Sequence, residues 1–486
     1  MKKFISLLAG VFMVSAVYAE VLIDSKFTKN SANWYALKNF GSAKQDSASK
    51  TLKLETGAKN EVRLANWKRI TPAMCAGKTI KITAVAKGKG EFNGAFVLTV
   101  KSASGGKSYP RFAGKAVKLG DEFVTVEHSL DLSKFVPLAI EPRIELKGSG
   151  AYALVKSIKC EVFTVEGAKL IPEAVYTAYP AGTPGKVTLK ISTNAGAELR
   201  INGQDFKADG SGNAAVEVAK NAGITQYTIS GKGISANVFT EAVEPAEFAA
   251  LTAAAGKVSL KRPAEILILG DSLSDFYRGR NYADQLSFYL NRTGNGQVVI
   301  RNFGIGGDDI KRVTRRLTHH FDSRTPDEYF QKRYTDISKY KYTHIIVFLG
   351  QNDTKASSKS GYKTTFVPAE KWAEYYQNLL TLLKKQFPQA QIIFCSPIHT
   401  NSVRQNAIAD AVLKRKDNVW KFGIEEQMEK YASVVRSAAE NAGAKYIDLY
   451  TPSKNHPQLE TLFVSDGVHL SPAGERFVTL QILNSL

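Results

Sequence analysis

In the first part of the chain, apolar residues either alternate with polar ones or cluster in short strand-like runs. TIKITAVAKG, GAFVLTVKSA, DEFVTVEHSLDL and YALVKSIKCEVFTV set β-branched and aromatic residues on one side of an extended backbone. Gly, Ser and Lys turns separate these runs, and no helix-period stretch interrupts them. Residues 20–166 are therefore expected to form a β-sandwich. A second strand-rich stretch, residues 167–246, has a Pro/Gly entry (AYPAGTPG) and carries GKVTLKIST, AELRING, GNAAVEVAK, TQYTISG and ISANVFTEA. It fits a small immunoglobulin-like module, and no sequence repeat relates it to the first region. Residues 247–263 read as a linker.

At Ala264 the pattern changes. EILILG, QVVIRNFG, THIIVFLG, AQIIFCSP and AKYIDLY are short apolar runs without alternation. Between them lie helical patterns such as AEKWAEYYQNLLTLLKKQF and IEEQMEKYASVVRSAAENAG, which end near Pro or Gly. Strands apolar on both faces that alternate with helices predict an α/β domain over residues 264–486, with a parallel sheet covered on both sides. Sites in such sheets form at the carboxyl ends of the strands.

Four of those ends or nearby loops carry residues suited to chemistry. The first strand runs into Gly270-Asp271-Ser272-Leu273, where a serine at a helix start has an exposed hydroxyl near helix amides. The alternative is that Ser272 only caps the helix. The second strand ends in Asn302-Phe303-Gly304-Ile305-Gly306-Gly307-Asp308-Asp309. Its glycines let the backbone approach a ligand, although a tight turn explains them equally well. The third ends in Gly350-Gln351-Asn352-Asp353, which sets a carboxamide donor at the same edge, or simply a turn. Near the end of the sequence, Asp466-Gly467-Val468-His469 can bring a carboxylate to one imidazole nitrogen, fixing the tautomer. A surface Asp–His pair without a role is the alternative.

In order and block by block, these four segments resemble the SGNH hydrolase family, also called GDSL esterases, over roughly Ala264 to Leu486. The resemblance implies a flavodoxin-like α/β hydrolase domain with a Ser272–His469–Asp466 triad. It implies an oxyanion hole made by the Ser272 and Gly307 N–H groups and the Asn352 side chain, and neither metal nor cofactor. Gln351 stands where the family often has a small residue. The Gly-x-Ser-x-Gly elbow of α/β-hydrolases is absent from the sequence. His399, in Ser-Pro-Ile-His-Thr, is a possible substrate-binding or structural residue, and Asp308 and Asp353 read as loop-fixing carboxylates. Lys311, Arg312, Arg315 and Arg316 read as a solvated helix face or as contacts to an acidic substrate.

Composition adds context. At 44% hydrophobic and 23% charged residues the chain is globular rather than disordered. Its net charge of +20 comes without an arginine-rich tract or a nucleic-acid module, so anionic glycans or solubility explain it better than nucleic acid. Lys2, Lys3, an apolar run from Phe4 to Val17 and the small-residue site Val17-Tyr18-Ala19 read as an export signal over residues 1–19. The run falls short of the about 20 residues a membrane span needs. A secreted or periplasmic location is expected, with no transmembrane segment in the mature chain. Export makes a Cys75–Cys160 disulfide an open question, whereas Cys395 lies in an apolar run and reads as a buried thiol.

Two β-modules ahead of an exported hydrolase resemble the appendages of polysaccharide-active enzymes. Trp34, Tyr35, Trp67 and Tyr109 are candidates for stacking on sugars, or for core positions. The leading expectation is a carbohydrate O-acetylesterase acting on an acetylated poly- or oligosaccharide, including anionic ones. The alternatives are an exported lipase or lysophospholipase of the same family, and a glycan-binding or adhesion protein with an inactive hydrolase domain.

Overall fold

The computed structural model of the chain describes residues 17–27, 33–66, 70, 78–101, 107–132, 135, 137–165, 168–231, 234–275, 280–293, 297–322, 328–413 and 418–486. Most of the expected export signal, together with Trp67 and Cys75, lies outside them. Two long antiparallel strands, Thr79–Lys101 and Ala139–Val165, organise the first region. Their register shifts between Lys147 and Tyr152 and again between Val155 and Ser157. Such irregularities bend a strand and raise its twist, which lets long strands curl around a core. Ile80, Ile82, Ala84 and Ala86 point inward at every second residue and meet Ile158, Cys160 and Val162. Trp34 belongs to that core and donates from Nε1 to Ser25 Oγ at 3.1 Å, so it offers no face to a sugar. Tyr109 is exposed.

The second region has two sheets. Leu170–Pro172, Lys186–Thr193 and Asn213–Ala219 form one; Tyr176–Pro180, Ile234–Val243, Ile224–Gly231, Glu198–Ile201 and Gln204–Lys207 form the other. Leu189, Ile191 and Val216 from the first sheet pack with Leu199, Ile201, Ile229 and Val238 from the second. Tyr176–Pro180 pairs in parallel with Ile234–Val243. That edge faces the rest of the molecule.

The expected linker is not one. Pro245–Lys257 is a helix, α1, which starts on Pro245 and buries Phe248, Leu251, Ala254 and Ala255. Alanines also occupy its exposed positions 246, 249, 250 and 253, which leaves little apolar periodicity in the sequence. Phe248 and Leu251 share one continuous core with Tyr176 and Phe239 of the second region and with Ile266, Tyr289 and Ile482 of the C-terminal domain.

Charged groups cross the same boundary. Tyr176 donates to Glu241 Oε2 at 2.8 Å, and Arg476 Nη1 bonds Glu241 Oε1. Arg280 lies 3.8 Å from Glu241 and 2.5 Å from Glu475, and Arg476 Nε reaches Glu247 at 2.9 Å. Removing one partner of a buried set leaves an uncompensated charge, which is more damaging than losing an exposed pair. Glu241→Ala should lower the unfolding free energy by about 3–5 kcal/mol in a urea titration. A change within about 0.5 kcal/mol, that of an ordinary surface position, would show that the network does not hold the modules together.

The C-terminal domain is built on five parallel strands: β1 (Ala264–Gly270), β2 (Val298–Asn302), β3 (His344–Phe348), β4 (Gln391–Cys395) and β5 (Lys445–Ile447). Their spatial order is β2-β1-β3-β4-β5, the flavodoxin-like doubly wound order. Alternate residues of each strand enter opposite cores. Ile266, Ile268, Ile346, Phe348 and Ile393 pack against α2 (Tyr282–Thr293) and α6 (Pro472–Ser485). Leu267, Leu269, Ile345, Val347 and Phe394 pack against α3 (Ile310–Leu317), α4 (Trp372–Gln386) and α5 (Glu425–Asn441). This explains the unbroken apolar runs. Cys395 is fully buried, and burial pushes its thiol pKa up. The order in which strands join the sheet reverses between β1 and β3, so a crevice opens at their carboxyl ends. Among the described residues no helix is long and apolar enough to cross a membrane.

Candidate active site

Ser272 stands in the turn that leaves β1. It is not at a helix start as expected: the next described helix, α2, begins at Tyr282. The turn holds itself instead. Asp271 accepts the Leu273 N–H on Oδ1 at 3.0 Å and the Ser274 N–H on its carbonyl at 3.1 Å. Ser274 Oγ shares a 2.8 Å hydrogen bond with the hydroxyl of buried Tyr282.

The loop after β2 is laced to this turn. Asp275 Oδ2 accepts the Gly306 N–H at 3.0 Å, and Ile305 N–H reaches the Gly270 carbonyl at 3.1 Å. A Cβ on Gly304 would sit 2.6 Å from Ser274 atoms, so only glycine permits the approach. Gly307 has φ +82°, a left-handed conformation natural to glycine. Among the described residues no group accepts a hydrogen bond from the Gly307 or the Ser272 N–H.

Asn352 lies on a single helical turn, Gln351–Thr354, just past β3. Its Nδ2 donates to Asp271 Oδ2 at 3.4 Å, and its Oδ1 accepts from Lys355 Nζ at 3.2 Å. Gln351 is buried and donates to the Ile398 carbonyl at 2.7 Å, tying the β3 loop to the β4 loop. Asp353 is fully buried and accepts the Ile310 N–H at 3.1 Å, where α3 begins. Burial, then nearby Asp309, raises its pKa well above the usual carboxylate range. Asp308 pairs with Arg316, both buried. Arg316 is thus internal, and Arg312 is engaged with Asp309 and Asp322; on this helix only Lys311 and Arg315 present an exposed face.

The last loop brings Asp466 and His469 together. Asp466 Oδ1 accepts the N–H groups of Val468 and His469, each at 2.9 Å, across Gly467 with φ +71°. Its Oδ2 accepts His469 Nδ1 at 2.6 Å, and His469 Nε2 lies 2.9 Å from Ser272 Oγ. A carboxylate only accepts, so Nδ1 carries the proton and Nε2 is free to accept from the serine hydroxyl. Burial would raise the Asp466 carboxyl. The hydrogen bond and charge of His469, with the two N–H groups, outweigh this and bring its pKa down to about 2.

Helix Ser402–Leu413 braces this loop: Arg404 Nη1 bonds the carbonyls of Phe463 and Val464, and Gln405 Nε2 bonds that of Asp466. No sequence pattern marked either residue. His399 is buried with its ring 5.7 Å from that of Tyr450, and its N–H donates to Ser453 Oγ at 2.8 Å. No hydrogen bond links it to Ser272, Asn352, Asp466 or His469. Burial lowers its pKa.

The family match gives the class of the C-terminal part of the chain, an ester-hydrolase domain. Residues 268–477 match the model of the GDSL-like lipase/acylhydrolase family. A GDSL esterase/lipase of Arabidopsis thaliana is 23% identical over 217 residues, covering 44% of this chain and 81% of that protein. A putative GDSL-like lipase from Parabacteroides merdae aligns with 47% of this chain and 98% of its own, at 19% identity and a TM-score of 0.35. A family two carbohydrate esterase from Cellvibrio japonicus aligns with 96% of this chain and 97% of its own, at 12% identity and a TM-score of 0.26.

Proposed function

We propose that the protein is an exported serine esterase that removes O-acetyl groups from carbohydrate. One observation carries the esterase reading: His469 bridges Ser272 Oγ at 2.9 Å and Asp466 Oδ2 at 2.6 Å, the relay that a serine nucleophile requires. In this mechanism Nε2 takes the Ser272 proton as Oγ attacks the acetyl carbon. The oxyanion draws on the Ser272 and Gly307 N–H groups and on Asn352 Nδ2. The imidazolium then protonates the departing sugar oxygen, leaving an acetyl-serine. Water gives a proton to Nε2, attacks that ester, and frees acetate and Ser272.

The acetylated-carbohydrate substrate is supported by two part-exposed aromatic residues that sit next to the side chain holding Asn352. Phe366 and Trp420 are part-exposed, with rings edge to face at 5.5 Å, and both lie beside Lys355, the hydrogen-bond partner of Asn352. Flat aromatic faces near an acetyl site suit a sugar ring. One observation favours a lipase instead: the helix that braces the His469 loop exposes Val403, Ile408 and Leu413.

Acetate release from acetylated neutral and uronic-acid polysaccharides, measured beside acyl esters of increasing chain length, separates the two. The expected result is acetate release from glycan and rates that fall with acyl length. Faster cleavage of long-chain than of acetyl esters, with no glycan deacetylation, would overturn the substrate reading.

A further inference from the structure

Lys355 closes the helical turn that carries Asn352, yet it is only 9% exposed. A lysine is seldom buried to that degree unless its charge is compensated. Two of its contacts contribute to this. Nζ donates to Asn352 Oδ1 at 3.2 Å, and three rings surround it, with centroids at 4.4 Å (Phe366), 5.5 Å (Phe422) and 5.6 Å (Trp420). Each aromatic face attracts a cation. The backbone builds this enclosure deliberately close: Phe366 N–H donates to the Lys355 carbonyl at 2.8 Å, and Ala356–Ser357 pairs with Trp420–Lys421.

A carboxamide can turn either its oxygen or its nitrogen toward a ligand, and only the nitrogen stabilises an oxyanion. An ammonium group has three donors and no acceptor, so it accepts only the oxygen of Asn352 as neighbour. With Oδ1 held there, Nδ2 faces the Asp271–Ser272 turn, where its bond to Asp271 is long at 3.4 Å. A long bond is readily exchanged for a stronger one to a developing negative charge. Hydrogen bonding at the amide oxygen also polarises the amide and makes its N–H a better donor.

We infer that Lys355 is a positioning residue for the oxyanion hole, fixing the Asn352 carboxamide with its donor toward Ser272. This rests on the esterase reading. It is tested on the full chain with p-nitrophenyl acetate, using Lys355→Met, whose unbranched side chain still fills the aromatic enclosure. The kcat should fall on the order of tenfold to a hundredfold, while KM stays within about a factor of two. Asn352→Ala alone should cost roughly a hundred- to a thousandfold. In that background Lys355→Met should have almost no further effect, because the group it positions is gone. Lys355→Arg, which keeps the charge and a donor, should recover most of the loss.

An unchanged kcat in Lys355→Met would overturn the inference. So would an equal loss with and without the Asn352 side chain, the signature of a merely structural role. Lys355→Leu supplies the same comparison should the methionine variant not fold. A wild-type chain inactive on every acyl ester would sink the esterase reading and this role together; an active wild type with an insensitive Lys355 removes this role alone.

Discussion

Replacing Ser272 with alanine should reduce kcat for acetyl-ester hydrolysis on the order of a million-fold, since in the proposed mechanism this removes the nucleophile and leaves only binding and the oxyanion donors. The fold should not notice. Ser272 is only partly buried, its side chain has a single described hydrogen bond, and the turn is held by Asp271 and Ser274 rather than by the serine side chain. The thermal midpoint should therefore match that of the unaltered protein. The pre-steady-state burst of p-nitrophenol that marks acyl-enzyme formation should vanish with turnover. Turnover at the wild-type rate would show that the ester is attacked by another group.

Asp466→Asn should cost on the order of ten-thousandfold in kcat, more than the loss of any one oxyanion donor. The reason is the tautomer. Asp466 Oδ2 obliges Nδ1 to carry the proton, leaving the Nε2 lone pair for Ser272. An asparagine can present its amide N–H to Nδ1, which moves the imidazole proton to Nε2 and points it at the nucleophile. The pH dependence carries the same logic. With its pKa at about 2, the Asp466 carboxyl remains ionised through the whole acidic range in which the protein is usefully assayed. Loss of kcat on acidification should therefore follow protonation of the imidazole, which removes the lone pair, and rate should rise with pH through that titration. A kcat–pH profile for the wild type and for Asp466→Asn checks both statements. A variant within tenfold of wild type at every pH would remove Asp466 from the mechanism.

The parallel sheet was legible in the sequence because both of its faces are buried: EILILG and THIIVFLG have no polar side to hide. Its strand ends then pointed to the loops that carry Ser272, Gly307, Asn352 and the Asp466–His469 pair. What escaped were features that depend on distance in space. Helix α1 buries Phe248, Leu251, Ala254 and Ala255, but its exposed positions include Ala246, Ala249, Ala250 and Ala253, so little polar contrast marks the buried face. Arg316 looked like one more cation on a basic helix, and its carboxylate, Asp308, precedes the helix itself. The bracing by Arg404 and Gln405 goes to backbone carbonyls of a loop 59–61 residues away, which no pattern of side chains encodes. The helix expected at Ser272 was wrong for a local reason, since Asp271 closes a turn there by accepting a backbone N–H.

The shared core around Tyr176 and Phe248, and the charges gathered on Glu241, also bear on how this enzyme can be divided. The family match begins at residue 268, and the parallel sheet at Ala264. A fragment cut at that point would keep Arg280 and Arg476 but lose Glu241 and Glu247, and it would strip α1 from the surface it covers. A stable hydrolase fragment should therefore have to start before Glu241 and retain the β-module that precedes the catalytic fold.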